Sequence, residues 1–321
     1  MHPLIAKNMY DTIKIHLANT GLVGDFVDNA LKHVDCDSIV LHEDKYSASA
    51  TAAVGNMRLR ITPNALNMVG SLSKWYLGDN IGTLSRGDTQ RAVEKLSDTL
   101  HQPLESSEVR RIDIAQNILT KYPVEMYLKR LGDVKTYKRL EKHHTGLTYQ
   151  KNDNTTAACF YDKIEEVKKN RGDIPELYKG RNVLRYEFRW LCKLRRAFKV
   201  RCLPVKMLYD EAFYMDVIRK HLSFFDEIPK IRNTSINVDN MKTKRDWMNY
   251  VMMAYIKLIA GGEMGACREV AEMQKKGMPR QVAYDIRTMI KELCSKNTAV
   301  NEQSEIEEMS EKLHRVETYF R

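Results

Sequence analysis

The sequence predicts an α+β fold: a mostly antiparallel sheet with helices on one face and an open polar face, followed by a smaller all-α region. Several segments before residue 205 alternate polar and apolar residues, as half-buried strands do. Between them lie segments with apolar residues at helical spacing, and after Pro204 only helical patterns follow. We therefore expect two domains, residues 1–205 and residues 206–321.

The predicted elements follow from these two periodicities and from turn residues. Strands are expected where polar and apolar residues alternate, over 10–18, 55–61, 108–118, 135–164 and 183–191. Helices are expected where apolar residues recur at helical spacing, over 23–34, 85–102, 123–131, 206–225, 240–260, 265–276, 280–296 and 302–320. Glycine-centred breaks predict loop or a short hairpin over 63–84, and turn residues break the strand-like stretch near Gly146 and 152–154. The charged run 165–173 is expected to be a solvated connection.

End signals support two of the helices. Ser85, Asp88 and Thr89 are the candidate N-caps for the helix over 85–102, whose Val93, Leu96 and Leu100 fall on one face. Pro123 suits the first turn of the helix that follows the strand over 108–118.

Three of the predicted strands place reactive side chains on one face. Successive strand side chains point to opposite faces, so residues two apart point the same way. The groups that share a face in this manner are Arg111 with Asp113, Tyr161 with Lys163, and Arg185 with Glu187 and Arg189. If these strands belong to one sheet, its polar face holds two carboxylates, a tyrosine, a lysine and several arginines. That set suits the cutting of a phosphodiester with a metal ion and a tyrosine nucleophile.

Each residue type has a definite role in such chemistry. Mg²⁺ or Mn²⁺ binds through one or two carboxylates plus water and substrate phosphate, which makes Asp113 and Glu187 the candidate ligands. Tyr161 is the candidate nucleophile, and its phosphotyrosine ester would conserve the energy of the cut bond for rejoining. Lys163 can favour the phenolate or stabilise the transition state. The arginines whose planar forks match phosphate oxygens are Arg111, Arg185 and Arg189.

Plain structural interpretations stand beside these roles. A tyrosine in a strand is more often a half-buried packing residue than a catalytic nucleophile. Asp113 can be a surface acid paired with a neighbouring arginine, and Glu187 can form a simple ion pair across the face. His143 and His144 resemble a metal pair, but adjacent strand residues point opposite ways and cannot easily share an ion.

The overall charge favours a polyanionic partner. The 321 residues carry a net charge of +10 with 43% hydrophobic residues, and no apolar stretch is long enough to span a bilayer. The six cysteines are scattered, as in a reduced cytoplasmic protein without a disulfide framework or zinc site. Residues 181–206 are densely basic, which favours salt-sensitive contact with a phosphate backbone. The candidate phosphate-binding residues outside the three motifs are Arg58, Arg60, Lys193, Arg195 and Arg196.

In order and spacing, these segments resemble the gene II/X replication proteins of filamentous phages and related plasmid initiators. These are rolling-circle endonucleases, related more distantly to the trans-acting Rep proteins of small plasmids. The resemblance covers roughly residues 10–205 and rests on the ordered motifs: Gly55-Asn56, the glycine-containing loop at 70–80, Arg111-Ile112-Asp113, Tyr161-Asp162-Lys163 and Arg185-Tyr186-Glu187-Phe188-Arg189. Asp162 departs from members that have an apolar residue beside the tyrosine.

The resemblance implies a rolling-circle initiator that nicks and rejoins origin DNA, single-stranded at the nick, with Mg²⁺ or Mn²⁺. It maps the nucleophile onto Tyr161, its following lysine onto Lys163 and the acidic positions onto Asp113 and Glu187. Residues 1–205 would be the nicking domain, and the helical region would serve DNA binding, packing or oligomerisation. Implied partners are a host helicase and polymerase in the cytoplasm of a bacterial cell, with no membrane; a homodimer is left open. The alternatives are a non-catalytic nucleic-acid-binding regulator and a metal nuclease that uses water.

Overall fold

The computed structural model describes residues 8–19, 23–43, 48–79, 84–142, 145–231, 242–258, 260–296 and 304–319. Ten strands form one sheet, in the spatial order β2-β3-β4-β5-β1-β6-β10-β9-β8-β7, and every pairing is antiparallel. The strands are β1 (Asn8–Ala18), β2 (Val40–Glu43), β3 (Ala48–Val54), β4 (Met57–Thr62), β5 (Ala65–Ser71), β6 (Glu108–Thr120), β7 (Tyr137–Lys142), β8 (Gly146–Lys151), β9 (Thr156–Asp162) and β10 (Asn182–Trp190). The α+β prediction is therefore confirmed.

The described residues form eleven helices. They are α1 (Val23–Leu31), α2 (Leu72–Leu77), α3 (Arg86–Leu100), α4 (Val124–Leu128), α5 (Lys163–Lys169), α6 (Leu194–Phe198), α7 (Glu211–Glu227), α8 (Lys244–Leu258), α9 (Glu263–Lys275), α10 (Arg280–Lys296) and α11 (Ser304–Tyr319). Several of them, such as α3 and α7, contribute to the hydrophobic core on the apolar face of the sheet. Ser85, one of the three candidates that the sequence offers, caps α3 through a capping box with Asp88. Among the described helices, none combines the length and the apolar composition that a bilayer crossing demands.

The pleat of the sheet separates a core face from an open face. In β4, Met57, Leu59 and Ile61 are buried while Arg58 and Arg60 are exposed. The same alternation runs through β1 and places its isoleucines in the core. The open face is thus supplied by the polar positions that the sequence pattern identifies.

The prediction of loop or a short hairpin over 63–84 is wrong for most of that stretch, which forms β5 and α2. Gly70 lies within β5 rather than in a turn. A Cβ at this position would come within 2.6 Å of the Met57 sulfur, so close packing requires glycine there. Gly78 ends α2 with a left-handed φ of 89°, the conformation for which glycine is favoured.

The expected connection over 165–173 is instead partly helical. Asp162 is the N-cap of α5, and its side chain accepts hydrogen bonds from the backbone amides of Ile164 and Glu165. β9 therefore stops at Asp162, and Lys163 begins a helix rather than continuing the strand face of Tyr161. Strands β2 and β3 have no counterpart in the sequence prediction.

Two hydrophobic clusters organise the described residues. The main cluster includes the apolar face of the sheet together with Phe213 and Val217 of α7 and Leu313 of α11. A second cluster joins α8, α9 and α10 through residues such as Met253 and Val270. The helical region thus completes the core of the sheet as well as forming its own cluster, and the boundary near residue 205 stays a prediction.

Candidate active site

Strand register places the motif side chains next to one another at the centre of the sheet. β10 lies between β6 and β9, with Arg185 opposite Tyr161 on one side and Arg189 opposite Asp113 on the other. Glu187 lies between these two rows on the same face of β10. The tyrosine and both acids, which are far apart in the sequence, therefore meet on the open face.

A hydrogen-bonded cluster surrounds the Glu187 carboxylate. The Tyr161 hydroxyl donates to Glu187 Oε1 at 2.5 Å, and Arg185 Nε donates to the same oxygen at 2.7 Å. Arg189 donates to the other oxygen from Nε at 3.1 Å and from Nη2 at 2.5 Å. The phenol is therefore fixed in position by a carboxylate that two guanidinium groups hold.

Asp113 forms a second paired site beside the first. Arg111 donates to its two oxygens from Nε at 2.9 Å and from Nη2 at 2.6 Å, a bidentate contact. Arg189 Nε lies 3.8 Å from Asp113 Oδ2, which makes this arginine a link between the two carboxylates. The side chains of Arg111 and Arg189 keep 29% and 33% of their surface exposed, so both can meet an incoming phosphate.

Arg185 is held in place by residues of β1 and β6 that were not predicted from the sequence. Its side chain is fully buried, with Nη2 3.0 Å from Asp11 Oδ2 and Nη1 donating to Asn117 Oδ1 at 3.1 Å. Ser71 donates in turn to Asp11 at 2.7 Å. Asn117 shares the parity of Asp113 in β6, so alternation alone could have found it. Arg185 therefore orients Glu187 rather than facing solvent.

The environment pushes the pKa values of the two acids apart. Burial acts to raise the pKa of Glu187, but the guanidiniums of Arg185 and Arg189 outweigh it and lower that pKa to about 2. Burial raises the pKa of Asp113 to about 6 despite its hydrogen bonds from Arg111. Burial also raises the pKa of the Tyr161 phenol well above its usual value. At neutral pH a neutral phenol thus donates to an ionised Glu187.

Lys163 lies at the start of α5, two residues after Tyr161. Its side chain is fully buried, and its ammonium lies 2.7 Å from a carboxylate oxygen of Glu166. Burial lowers the pKa of Lys163, and the positive charge of Arg185 lowers it further. The structure therefore gives the lysine a carboxylate partner on its own helix.

The remaining predicted phosphate-binding residues fall into two groups. Arg58 and Arg60 are exposed on the open face of β4. The other three are exposed at the end of β10, where Lys193 precedes α6, Arg196 lies within it and Arg195 pairs with Glu108. Neither group joins the cluster around Tyr161. His143 and His144 lie outside the described residues.

The acids as arranged do not fit a divalent cation. Both oxygens of Glu187 and both of Asp113 already accept hydrogen bonds from guanidinium groups, whose positive charge opposes a metal ion. In the described part of the chain, no group of three or more His, Cys, Asp or Glu side chains is placed to hold one. A metal at Asp113 and Glu187 would require Arg111 and Arg189 to move away.

Comparisons with known proteins place the chain in a family. The chain is similar to a solved rolling circle replication initiator protein from Geobacillus stearothermophilus, with 11% identity, a TM-score of 0.40, and coverage of 80% of this chain and 99% of that one. No curated protein matches the chain. A family model that describes the N-terminal part of a phage replication-associated protein matches residues 9–208, which is more than half of the sequence. The chain therefore belongs to this family of replication-associated proteins, as its resemblance to phage and plasmid replication initiators implies.

Proposed function

We propose that the chain initiates rolling-circle replication by nicking and rejoining one DNA strand through a covalent phosphotyrosine at Tyr161. The observation that carries the proposal is the 2.5 Å hydrogen bond from the Tyr161 hydroxyl to Glu187, among arginines on an open face. A nucleophile held by a carboxylate beside phosphate-binding cations is the arrangement that such a transfer needs. Membership of a replication-associated family supports DNA as the substrate.

The proposed step exchanges one ester of phosphorus for another. The Tyr161 oxygen attacks the scissile phosphorus, a tyrosine–phosphorus bond forms, and the bond from phosphorus to the 3′ oxygen breaks. Glu187 takes the phenol proton, and the departing 3′ oxygen takes a proton from solvent. The 5′ end stays on the protein, while the free 3′ hydroxyl is available to a host polymerase behind a host helicase. Attack by a 3′ hydroxyl on the phosphotyrosine reverses the step and rejoins the strand.

Phosphate binding would itself activate the nucleophile. An incoming phosphate competes with Glu187 for the Arg189 guanidinium, which the structure holds at 2.5 Å from that carboxylate. As this contact weakens, the pKa of Glu187 rises from about 2 and the carboxylate becomes a better acceptor for the phenol proton. Arg111 and Arg189 would then stabilise the charge on the transferring phosphate.

Other predicted residues would act around this centre. We assign Lys163 to stabilising the anionic transition state through its charge, from its buried position beside Glu166 at the start of α5. Arg58, Arg60, Lys193, Arg195 and Arg196 would contact phosphates away from the scissile bond. A requirement for Mg²⁺ or Mn²⁺, with Asp113 and Glu187 as ligands, stays a prediction, and no step above passes through a metal.

The test is a nicking assay on labelled single-stranded DNA from the origin of the parent replicon. Wild-type protein should leave a protein-linked product on a denaturing gel, and Tyr161→Phe should leave none because it lacks the attacking oxygen. Parallel reactions with Mn²⁺, with Mg²⁺ and with EDTA examine the metal requirement. An adduct that persists in Tyr161→Phe would exclude Tyr161. Cleavage without any protein-linked product would indicate a nuclease that uses water, and binding without cleavage would indicate a regulator.

A further inference from the structure

A cleft beside Tyr161 has no role in the reaction described above. It has a volume of about 910 Å³ and is lined by residues of β7, β8, β9 and α5. Tyr161 and Arg189 contribute to its wall, so it adjoins the reacting centre directly. Its size lies within the range of roughly 300–1,000 Å³ typical of sites for small organic ligands.

The residues next to the phenol on this side are small or uncharged. On β8, Gly146 is the partner of Tyr161 and Thr148 is the partner of Cys159. Leu140 on β7 stands opposite Thr148 and is 50% exposed. Paired residues of antiparallel strands point to the same face, so these positions continue the open face away from the arginines. This surface suits the uncharged ring and sugar of a nucleotide.

Lysines give the cleft a cationic rim. Of its three acids, Glu165 and Glu166 are each paired with a lysine at 2.7 Å, and Asp162 accepts hydrogen bonds from the first backbone amides of α5. Lys142 and Lys169 also line the cleft and form no salt bridge with any described residue. The rim therefore has cations available for a phosphate group.

Gly146 keeps the cleft open next to the nucleophile. A Cβ at this position would lie 3.6 Å from Tyr161 Cβ and 3.7 Å from the Phe160 carbonyl oxygen, ordinary contact distances. An alanine therefore fits without displacing the strand, whereas a longer side chain would extend over the face beside the phenol. The backbone conformation at Gly146 does not require glycine. The absence of a side chain there therefore serves to keep the cleft open beside the phenol.

We propose that this cleft binds the nucleotide of single-stranded DNA that adjoins the scissile phosphate. The inference rests on the proposed function, because it places a substrate nucleotide beside the attacking phenol. The base and sugar would contact Thr148, Cys159 and Leu140, and a neighbouring phosphate would lie near Lys142 or Lys169. Gly146 is then a residue that determines access to the site.

Thymidine 3′,5′-bisphosphate is the probe, since it carries one base, one sugar and both flanking phosphates. Calorimetry on the full chain should show tighter binding of this probe than of inorganic phosphate. Gly146→Leu should weaken probe binding at least about tenfold by occupying the cleft, while Gly146→Ala should stay within about twofold of wild type. Circular dichroism and the melting temperature of both variants establish that the fold is retained. Thymidine 3′-phosphate and thymidine 5′-phosphate report which phosphate the rim holds.

Two outcomes would overturn the inference: equal affinity for probe and inorganic phosphate, or unchanged probe binding in a folded Gly146→Leu variant. The adduct assay separates this failure from failure of the proposed function. If wild-type protein and Gly146→Leu form the adduct equally well, the role of the cleft in nucleotide binding is contradicted, while the proposed function is retained. If the wild-type protein binds the probe but forms no adduct, and Gly146→Leu abolishes probe binding, the nucleotide site is supported and the phosphotyrosine reaction is contradicted.

Discussion

At the scale of residues, the two acids of the site have different surroundings although the sequence presents them alike. Parity along β6 and β10 predicts which face Asp113 and Glu187 occupy, but it does not predict that Arg185, on the same face as Glu187, is fully buried and donates to it. Simple alternation does not predict which face Asp11 occupies, because the β1–β6 register shifts between Tyr10 and Ile13. Pairing partners follow from strand order, which a single sequence does not fix.

Asp113 should make DNA binding depend on pH. Its pKa is raised to about 6, so lowering the pH from 7.5 to 5 protonates it and removes a negative charge beside Arg111 and Arg189. Affinity for a fluorescent single-stranded oligonucleotide should therefore rise as the pH falls, by up to about fivefold. Anisotropy titrations at constant ionic strength measure this change. Asp113→Asn should lose the step near pH 6, and an identical pH profile in that variant would contradict the assignment.

At the scale of elements, α11 is joined to the sheet although it lies farthest along the chain. Lys312 donates from Nζ to the Leu119 carbonyl at 2.7 Å, and Glu308 accepts from the Lys121 amide at 3.0 Å. Leu313 is fully buried in the main cluster. Helical periodicity predicts that α11 exists, but an amphipathic pattern does not say which surface its apolar face covers. The same limit applies to α7.

Leu313→Ala should destabilise the whole sheet domain, because the lost side chain leaves a cavity in the main core. A decrease in the free energy of unfolding of about 2–5 kcal/mol is expected from urea denaturation. The matched control is Glu311→Ala in the same helix, whose side chain is 62% exposed and pairs with Arg315, and it should cost about 1 kcal/mol or less. Equal effects of the two substitutions would show that α11 does not support the core.

At the scale of the whole molecule, the open face carries a cationic row that leads from β4 toward the site. Arg58 and Lys14 both pair with Val69 across β5, and Lys14 is the partner of Arg111. The row crosses four strands, roughly 14 Å at the usual strand spacing. Alternation in the sequence was enough to predict a polar face with Arg58 and Arg60 on it. That the row continues through Lys14 could be recognised only from the pairing register of β1 with β5 and β6.

This row should contact the DNA backbone without reading its sequence. Arg58→Ala and Lys14→Ala should each weaken binding by a similar factor for oligonucleotides of unrelated sequence. Each should also reduce the slope of log K against log salt concentration by about one. Titrations between low and moderate salt concentrations give this slope. Lys275→Ala is the control, since that exposed lysine lies in α9 and pairs with Glu272. Slopes that stay at the wild-type value in both row variants would place the DNA elsewhere.

The most direct test of the central proposal is to locate the covalent bond between protein and DNA. Wild-type protein is reacted with single-stranded origin DNA, digested with nuclease and protease, and examined by mass spectrometry. We expect a nucleotide attached through its 5′ phosphate to the peptide that contains Tyr161 and to no other peptide. Attachment to a different residue, or efficient nicking with no modified peptide, would contradict it.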